Sequence, residues 1–194
     1  LITRPEILAK ALLAGGTDEQ KRAWLPRLAT GEIMAAISVT EPDVGSDVAS
    51  LACRATRTDG GYHIDGAKAW CTFAGRADVI ALLARTGPPS AATGGAASAG
   101  AARDHSGAKG LTLFIVEKPR LDGHEFAATQ PGGGTLTGKA DRTPGYRGMH
   151  SFGLAFERWF VPDSHVVGGE AAVGKGFGLQ MAGFGAGRLQ TGGR

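Results

Sequence analysis

The chain has 194 residues, 42% of them hydrophobic, with 21 basic and 18 acidic side chains, a net charge of +3 and two cysteines. This length suits one ordinary domain with attachments and buries a core without disulfide or metal staples. The charge is scattered, with no polybasic block, which argues against a nucleic-acid partner, and no apolar run approaches the roughly 20 residues that a membrane-spanning helix needs.

Cys53 and Cys71 form no Cys-x-x-Cys pair, so neither a disulfide framework nor a structural zinc site is indicated, and a cytoplasmic setting is expected. The start, Leu1-Ile2-Thr3-Arg4, lacks an initiator Met and a signal-peptide pattern, and reads as a beginning in mid-protein. Thr3-Arg4-Pro5-Glu6 is a capping box with Pro early in the first turn. Ile7, Leu8, Ala11 and Leu12 continue it as an apolar stripe that ends at Gly15-Gly16. A second box, Thr17-Asp18-Glu19-Gln20, opens another helix through Trp24 and Leu25, which Pro26 is expected to kink or break before Leu28.

From Glu32 the pattern changes to short segments bounded by turn residues: 33–40, 51–58, 62–64, 68–72 and 79–85 read as strands. Asp59-Gly60 and Asp65-Gly66 are two-residue hairpin signals, so 51–72 is predicted to be a three-strand meander. Segments 111–117, 124–129 and 153–161 add strands, with no helix-length periodicity between them. The predicted fold is mainly β, an antiparallel barrel or sandwich. Residues 87–107, rich in Ala, Gly, Ser and Pro, read as a mobile surface loop. Residues 131–150 read either as a solvated excursion or as a ligand-facing loop, with composition favouring the former. After Gly176 the spacing of Phe177, Met181, Phe184 and Arg188 is helical. The chain stops at Gly192-Gly193-Arg194 without capping residues, so it reads as cut at both ends.

Gly133 to Lys139 matches the G-x-x-x-x-G-K phosphate loop, but Ala140 stands where a Ser or Thr hydroxyl must hold magnesium, and no helix follows. His63, His105, His124, His150 and His165 never approach the i, i+3 or i, i+4 spacing of a metal pair, so no metal site is expected. No Gly-x-Ser-x-Gly elbow exists, and Cys71 has no base beside it. Two candidates remain. Val39-Thr40-Glu41-Pro42-Asp43-Val44-Gly45-Ser46-Asp47 leaves a strand and offers hydroxyls and a Gly-freed backbone to an anion or cofactor. In isolation it also reads as a plain polar connection. Trp70-Cys71-Thr72 sets an aromatic plane and a hydroxyl two apart, hence on one strand face; alone it reads as core packing.

Together, Thr-Glu-Pro-x-x-Gly-Ser-Asp and Lys-x-Trp-x-Thr at this separation resemble the acyl-CoA dehydrogenase family. Residues 16–32 look like its lead-in helix. Residues 110–117, Arg147-Gly148, Phe156-Glu157 and Val161-Pro162 look like its later strands, and Gly174-Lys175-Gly176-Phe177 like its entry into the C-terminal bundle. The resemblance implies three parts: 1–31, the end of an N-terminal helical domain; 32–168, the middle β-domain; and 169–194, the truncated start of a C-terminal helical domain.

It implies FAD, with Ile37, Val39 and Thr40 along the isoalloxazine, Gly45 and Ser46 at the pyrophosphate, Trp70 covering the ring and Thr72 at its polar rim. Ile37 departs from the aromatic residue often found there. Ser46, Arg147 and Arg188 would face the acyl-CoA. The implied reaction is α,β-dehydrogenation, a carboxylate taking the α-proton while the β-hydrogen leaves as hydride to the flavin. The usual base lies beyond Arg194, and the alternative place immediately before an Arg is held by Gly187, so no catalytic residue is named in this chain. The longer 132–151 loop and the segments 180–184 and 187–191 resemble methylsuccinyl-CoA dehydrogenases, and Arg142, Arg147 or His150 would serve a free carboxylate. Implied partners are acyl-CoA, an electron-transfer flavoprotein or similar acceptor, and further copies of the chain in a tetramer or dimer. A flavin-dependent acyl-CoA oxidase or monooxygenase, or a non-catalytic flavin-binding domain, would keep the same motifs.

Overall fold

The computed structural model describes residues 3–87, 108–145 and 148–192, with side chains described over 6–87, 108–145 and 148–185. Two helices open it, α1 (Thr3–Gly15) and α2 (Asp18–Thr30). The predicted capping box at Thr17 is present: the Gln20 N–H donates to Thr17 Oγ1 (3.2 Å) and the Thr17 N–H to Gln20 Oε1 (3.1 Å). The break expected at Pro26 does not occur, and α2 runs on to a left-handed cap at Gly31. Burial of Trp24 and Leu28 on either side of the exposed Pro26 carries the helix across the missing amide.

Eight strands follow: β1 (Ala35–Ser38), β2 (Arg54–Thr58), β3 (Gly61–Thr72), β4 (Val79–Arg85), β5 (Leu111–Glu117), β6 (Glu125–Thr129), β7 (Thr135–Ala140) and β8 (Ser151–Pro162); helix α3 (Gly176–Gly192) closes the order. They form one sheet in the order β1-β4-β2-β3-β8-β7-β6, with β5 also on β4. The fold is mainly β as predicted, but the sheet is mixed rather than antiparallel. β1 pairs with β4 in parallel, Ala35 opposite Val79 through Ser38 opposite Leu82, and Arg54 of β2 also meets Arg85 of β4 in parallel. A parallel pair needs a long crossover, and residues 39–78, holding the β2–β3 hairpin, supply it.

The Asp59-Gly60 turn joins β2 to β3 as expected, whereas Asp65-Gly66 is no hairpin. It lies inside β3, where the pairing with β8 slips between Ile64 and Gly66 because β8 carries the extra residue, Glu157 and Arg158 standing opposite Asp65. Gly66 has φ +134°, and a Cβ there would stand 2.9 Å from the Cys53 Cα, so glycine serves both the bend and the close approach. Residues 131–140 are also more ordered than composition suggested. Gln130 and Gly134 close a turn, and Gly133 to Lys139 runs into β7, where a Cβ on Gly138 would strike the Phe126 ring at 2.2 Å. That sequence is strand, not a phosphate loop. The 87–107 segment falls almost entirely outside the described residues.

The sheet curls around one apolar cluster and presents a second to the helices. Ile80, Leu82, Ala84, Phe114 and Val116 point inward, while Val79, Ala81, Leu83, Leu113 and Ile115 meet Ile7, Leu8, Ala11 and Leu12 of α1. β4 and β5 are thus buried on both faces, which is why their sequences are continuously apolar rather than alternating. Each fully buried Leu or Ile contributes roughly 1.5–3 kcal/mol.

Candidate functional site

Beyond β1 the chain continues as a strap, residues 39–41, then turns at Pro42-Asp43, where Glu41 and Val44 exchange backbone hydrogen bonds at 2.9 and 3.2 Å. The strap lies against the end of β3. Cys71 Sγ donates to the Ile37 carbonyl (3.0 Å), the Ala69 N–H to the Thr40 carbonyl (2.8 Å), and Lys68 Nζ to the Val39 carbonyl (2.9 Å). Lys68 Nζ also reaches Glu41 Oε1 at 2.9 Å, and Glu41 in turn accepts from the Ala52 and Cys53 amides at 2.7 and 2.9 Å. Lys68 and Glu41 are only 1% and 6% exposed, so this is a buried, multiply bonded ion pair. The structure therefore brings together the two segments that the sequence singled out separately.

Trp70 sits where β3 bulges against β8, between Lys68 and Cys71. Its backbone is left-handed, φ +57°, and so is that of Phe73, φ +63°. A bulge breaks the two-residue alternation, so Trp70 and Thr72 do not share a face: Trp70 is 58% exposed and Thr72 is buried. The other two tryptophans, Trp24 and Trp159, are 6% and 2% exposed. A large aromatic turned outward on a left-handed backbone makes Trp70 the candidate ligand platform of this face. Thr72 Oγ1 lies 3.0 Å from Ser151 Oγ, and the Phe73 N–H donates to the His150 carbonyl (2.8 Å), which ties the platform to the start of β8.

Past the turn, Gly45 and Ser46 are exposed, and a Cβ on Gly45 would meet nothing within 4 Å. Glycine there is not demanded by this chain's own packing; it leaves room for a group from outside. Gly45 and Ser46 so offer amides, a hydroxyl and open space, which suits a pyrophosphate, while Trp70 offers a plane that suits an isoalloxazine. Ile37 and Val39 are less accessible, both buried in the cluster that faces the helices. Thr40, between them and the turn, is half-buried.

Of the residues expected to face substrate, Arg147 lies outside the described residues and Arg188 is on α3 with its side chain undescribed. His150 is placed: its ring packs edge-on against His124, centroids 4.5 Å apart. Both line a cleft of about 510 Å³ with Glu125, Lys139, Asp141, Arg142 and Thr143, next to the platform through Ser151, whose carbonyl accepts from the Asp141 N–H (2.7 Å). Among the described residues no group of three His, Cys, Asp or Glu is arranged to hold a metal ion, and no helix is long and apolar enough to cross a membrane. Cys53 is buried, its pKa pushed up to about 11 mainly by desolvation, so it is no nucleophile. Sequence reasoning missed the pairing of Lys68 with Glu41, although each stands inside one of the two motifs. The signal available was a lysine in a strand and a glutamate at a strand's end, which read equally well as surface residues.

Residues 36–159 match the family model "Acyl-CoA dehydrogenase, middle domain". The (2S)-methylsuccinyl-CoA dehydrogenase of Cereibacter sphaeroides is 38% identical over 193 residues, which is 99% of this chain and 31% of that protein. The mitochondrial 2-methylacyl-CoA dehydrogenase of Solanum tuberosum is 36% identical over 178 residues, 92% of this chain and 36% of that protein. Among solved structures, butyryl-CoA dehydrogenase from Megasphaera elsdenii superposes with a TM-score of 0.74 at 28% identity, covering 97% of this chain and 41% of that one. The chain thus spans about a third of the length of the curated relatives it matches. With its curled, mostly stranded sheet and paired motifs in place, the chain belongs to the acyl-CoA dehydrogenase family, whose middle domain it contains.

Proposed function

We propose that this chain supplies the flavin- and acyl-CoA-binding middle of an FAD-dependent oxidoreductase that forms an α,β double bond in an acyl-CoA thioester. The observation that carries this is Trp70: exposed, held on a left-handed backbone, and hydrogen-bonded through its neighbours to the strap that bears Thr40. In this reading Trp70 covers the flavin, Thr72 and Thr40 bond its polar edge, Ile37 and Val39 form the apolar support beneath, and Gly45 and Ser46 hold the pyrophosphate. FAD, when bound, supplies the hydride acceptor; the chain's own residues orient it and keep water from one of its faces. The division into 1–31, 32–168 and 169–194 belongs to the same proposal, as do a cytoplasmic setting, assembly with further copies and an electron-transfer flavoprotein as acceptor.

The substrate we infer is a branched dicarboxylic acyl-CoA such as methylsuccinyl-CoA, supported by the 38% identity to a dehydrogenase of that name and by Arg142 in the cleft that opens beside Ser151. In this reading Arg142, Arg147 or His150 serves the free carboxylate, Ser46 lies near the acyl-CoA, and Arg188 is a further substrate-side contact. Anaerobic addition of methylsuccinyl-CoA to the full-length protein is expected to bleach the bound flavin. Arg147→Ala is expected to raise the KM for methylsuccinyl-CoA about tenfold or more, equivalent to the loss of one charge-assisted hydrogen bond. An unchanged KM removes Arg147 from the pocket, and stoichiometric oxygen consumption during turnover assigns an oxidase instead.

A further inference from the structure

We infer that the buried Lys68–Glu41 pair is a positioning latch for the flavin site, setting flavin affinity and potential without touching the flavin. The inference rests on the flavin reading of Trp70 and Thr40. A salt bridge this deeply buried is a poor stabiliser, because the cost of desolvating both charges offsets much of their attraction, and apolar residues of similar volume often serve as well or better. Its location supplies the missing reason. The Lys68 ammonium donates to the strap, at the Val39 carbonyl and the Glu41 carboxylate, and the next residue, Ala69, bonds the Thr40 carbonyl. Thr40 is therefore held on both sides and at its own carbonyl by the two residues that immediately precede Trp70.

Glu41 extends the tie to the Ala52 and Cys53 amides, and Arg85 fixes the neighbouring stretch by donating to the Leu51 and Ala49 carbonyls at 2.9 and 2.6 Å. The ring-edge hydroxyl and the aromatic plane are thus referenced to each other by one ion pair. Lys118, the other buried lysine, shows the contrast: it donates to the backbone carbonyls of Gly75, Ala77 and Pro119, which are not on the strap.

The test is FAD titration of the apo full-length protein, with the potential of the bound flavin measured in parallel, for the natural chain, Lys68→Met, Glu41→Gln and the double variant. Leu136→Ala, in the inner core of the curled sheet, serves as a control destabilised away from the strap. Lys68→Met and the double variant are expected to bind FAD at least tenfold more weakly and to shift the flavin potential, while Leu136→Ala lowers the urea midpoint but keeps affinity within about twofold and leaves the potential unchanged. Should a single variant fail to fold, the double variant, which leaves no lone buried charge, decides. Natural affinity and potential in the folded double variant overturn the latch, as does an equal loss in Leu136→Ala. Absence of FAD binding by the natural chain instead overturns the flavin reading, and this inference with it.

Discussion

The Lys118 ammonium ends among carbonyls, donating to Gly75 and Pro119 at 2.6 Å and to Ala77 at 2.9 Å, and lies 5.1 Å from the centre of the Phe126 ring. Burial pushes its pKa from 10.5 down to about 8, with the Asp78 charge opposing. Because the folded value is the lower one, the stability this group contributes is fully present above about pH 10.5 and is lost as the pH falls through about 8. Raising the pH from about 7 to about 9.5 is expected to raise the urea midpoint of the natural chain relative to that of Lys118→Met; parallel profiles would show that the ammonium is not strained by its burial. At this scale the sequence was half legible. Thr40, Gly45, Ser46, Trp70 and Thr72 stood out as residue types at a spacing, but the Lys68–Glu41 bond joins positions far apart in the chain and leaves no local signature. The left-handed backbone of Trp70 was equally hidden, because nothing in a two-residue alternation announces a bulge at a non-glycine residue.

Among the elements, α2 carries an internal proline that costs it a hydrogen bond while packing continues on either side. Pro26→Ala is expected to stabilise the fold by about 1–2 kcal/mol, the proline penalty less the entropy that alanine returns to the unfolded chain. A thermal melt checks this, and a lowered midpoint would mean that the ring itself makes a needed contact. The strands teach a related lesson. β3 runs unbroken through Asp65-Gly66, because β8 pairs with both of its halves and itself bulges at Glu157-Arg158. β7 escaped notice because its residues, Thr-Leu-Thr-Gly-Lys-Ala, carry a single large apolar side chain, and the strand is held by pairing on both sides, to β6 and β8. The helix caps and the apolar runs of β4 and β5 were readable because local chemistry decides them; pairing across the sheet decides the rest.

For the molecule as a whole, the mixed sheet follows from connectivity. The long crossover that returns β4 alongside β1 also carries the strap and β3, so the parallel pairing and the site come from the same stretch of chain. The central claim is that this stretch presents one face of a flavin site with Trp70 as its plane. It is tested most directly by fluorescence: Trp24 and Trp159 are buried while Trp70 is exposed, so subtracting the emission of the Trp70→Phe variant from that of the natural full-length protein isolates the red-edge component that Trp70 contributes. Titrating FAD into the apo full-length protein is expected to remove that red-edge component at one equivalent per chain, and Trp70→Phe is expected to lack the component while still taking up FAD. A red-edge emission that survives saturating FAD, or that Trp70→Phe loses to FAD just as fully, would contradict the account.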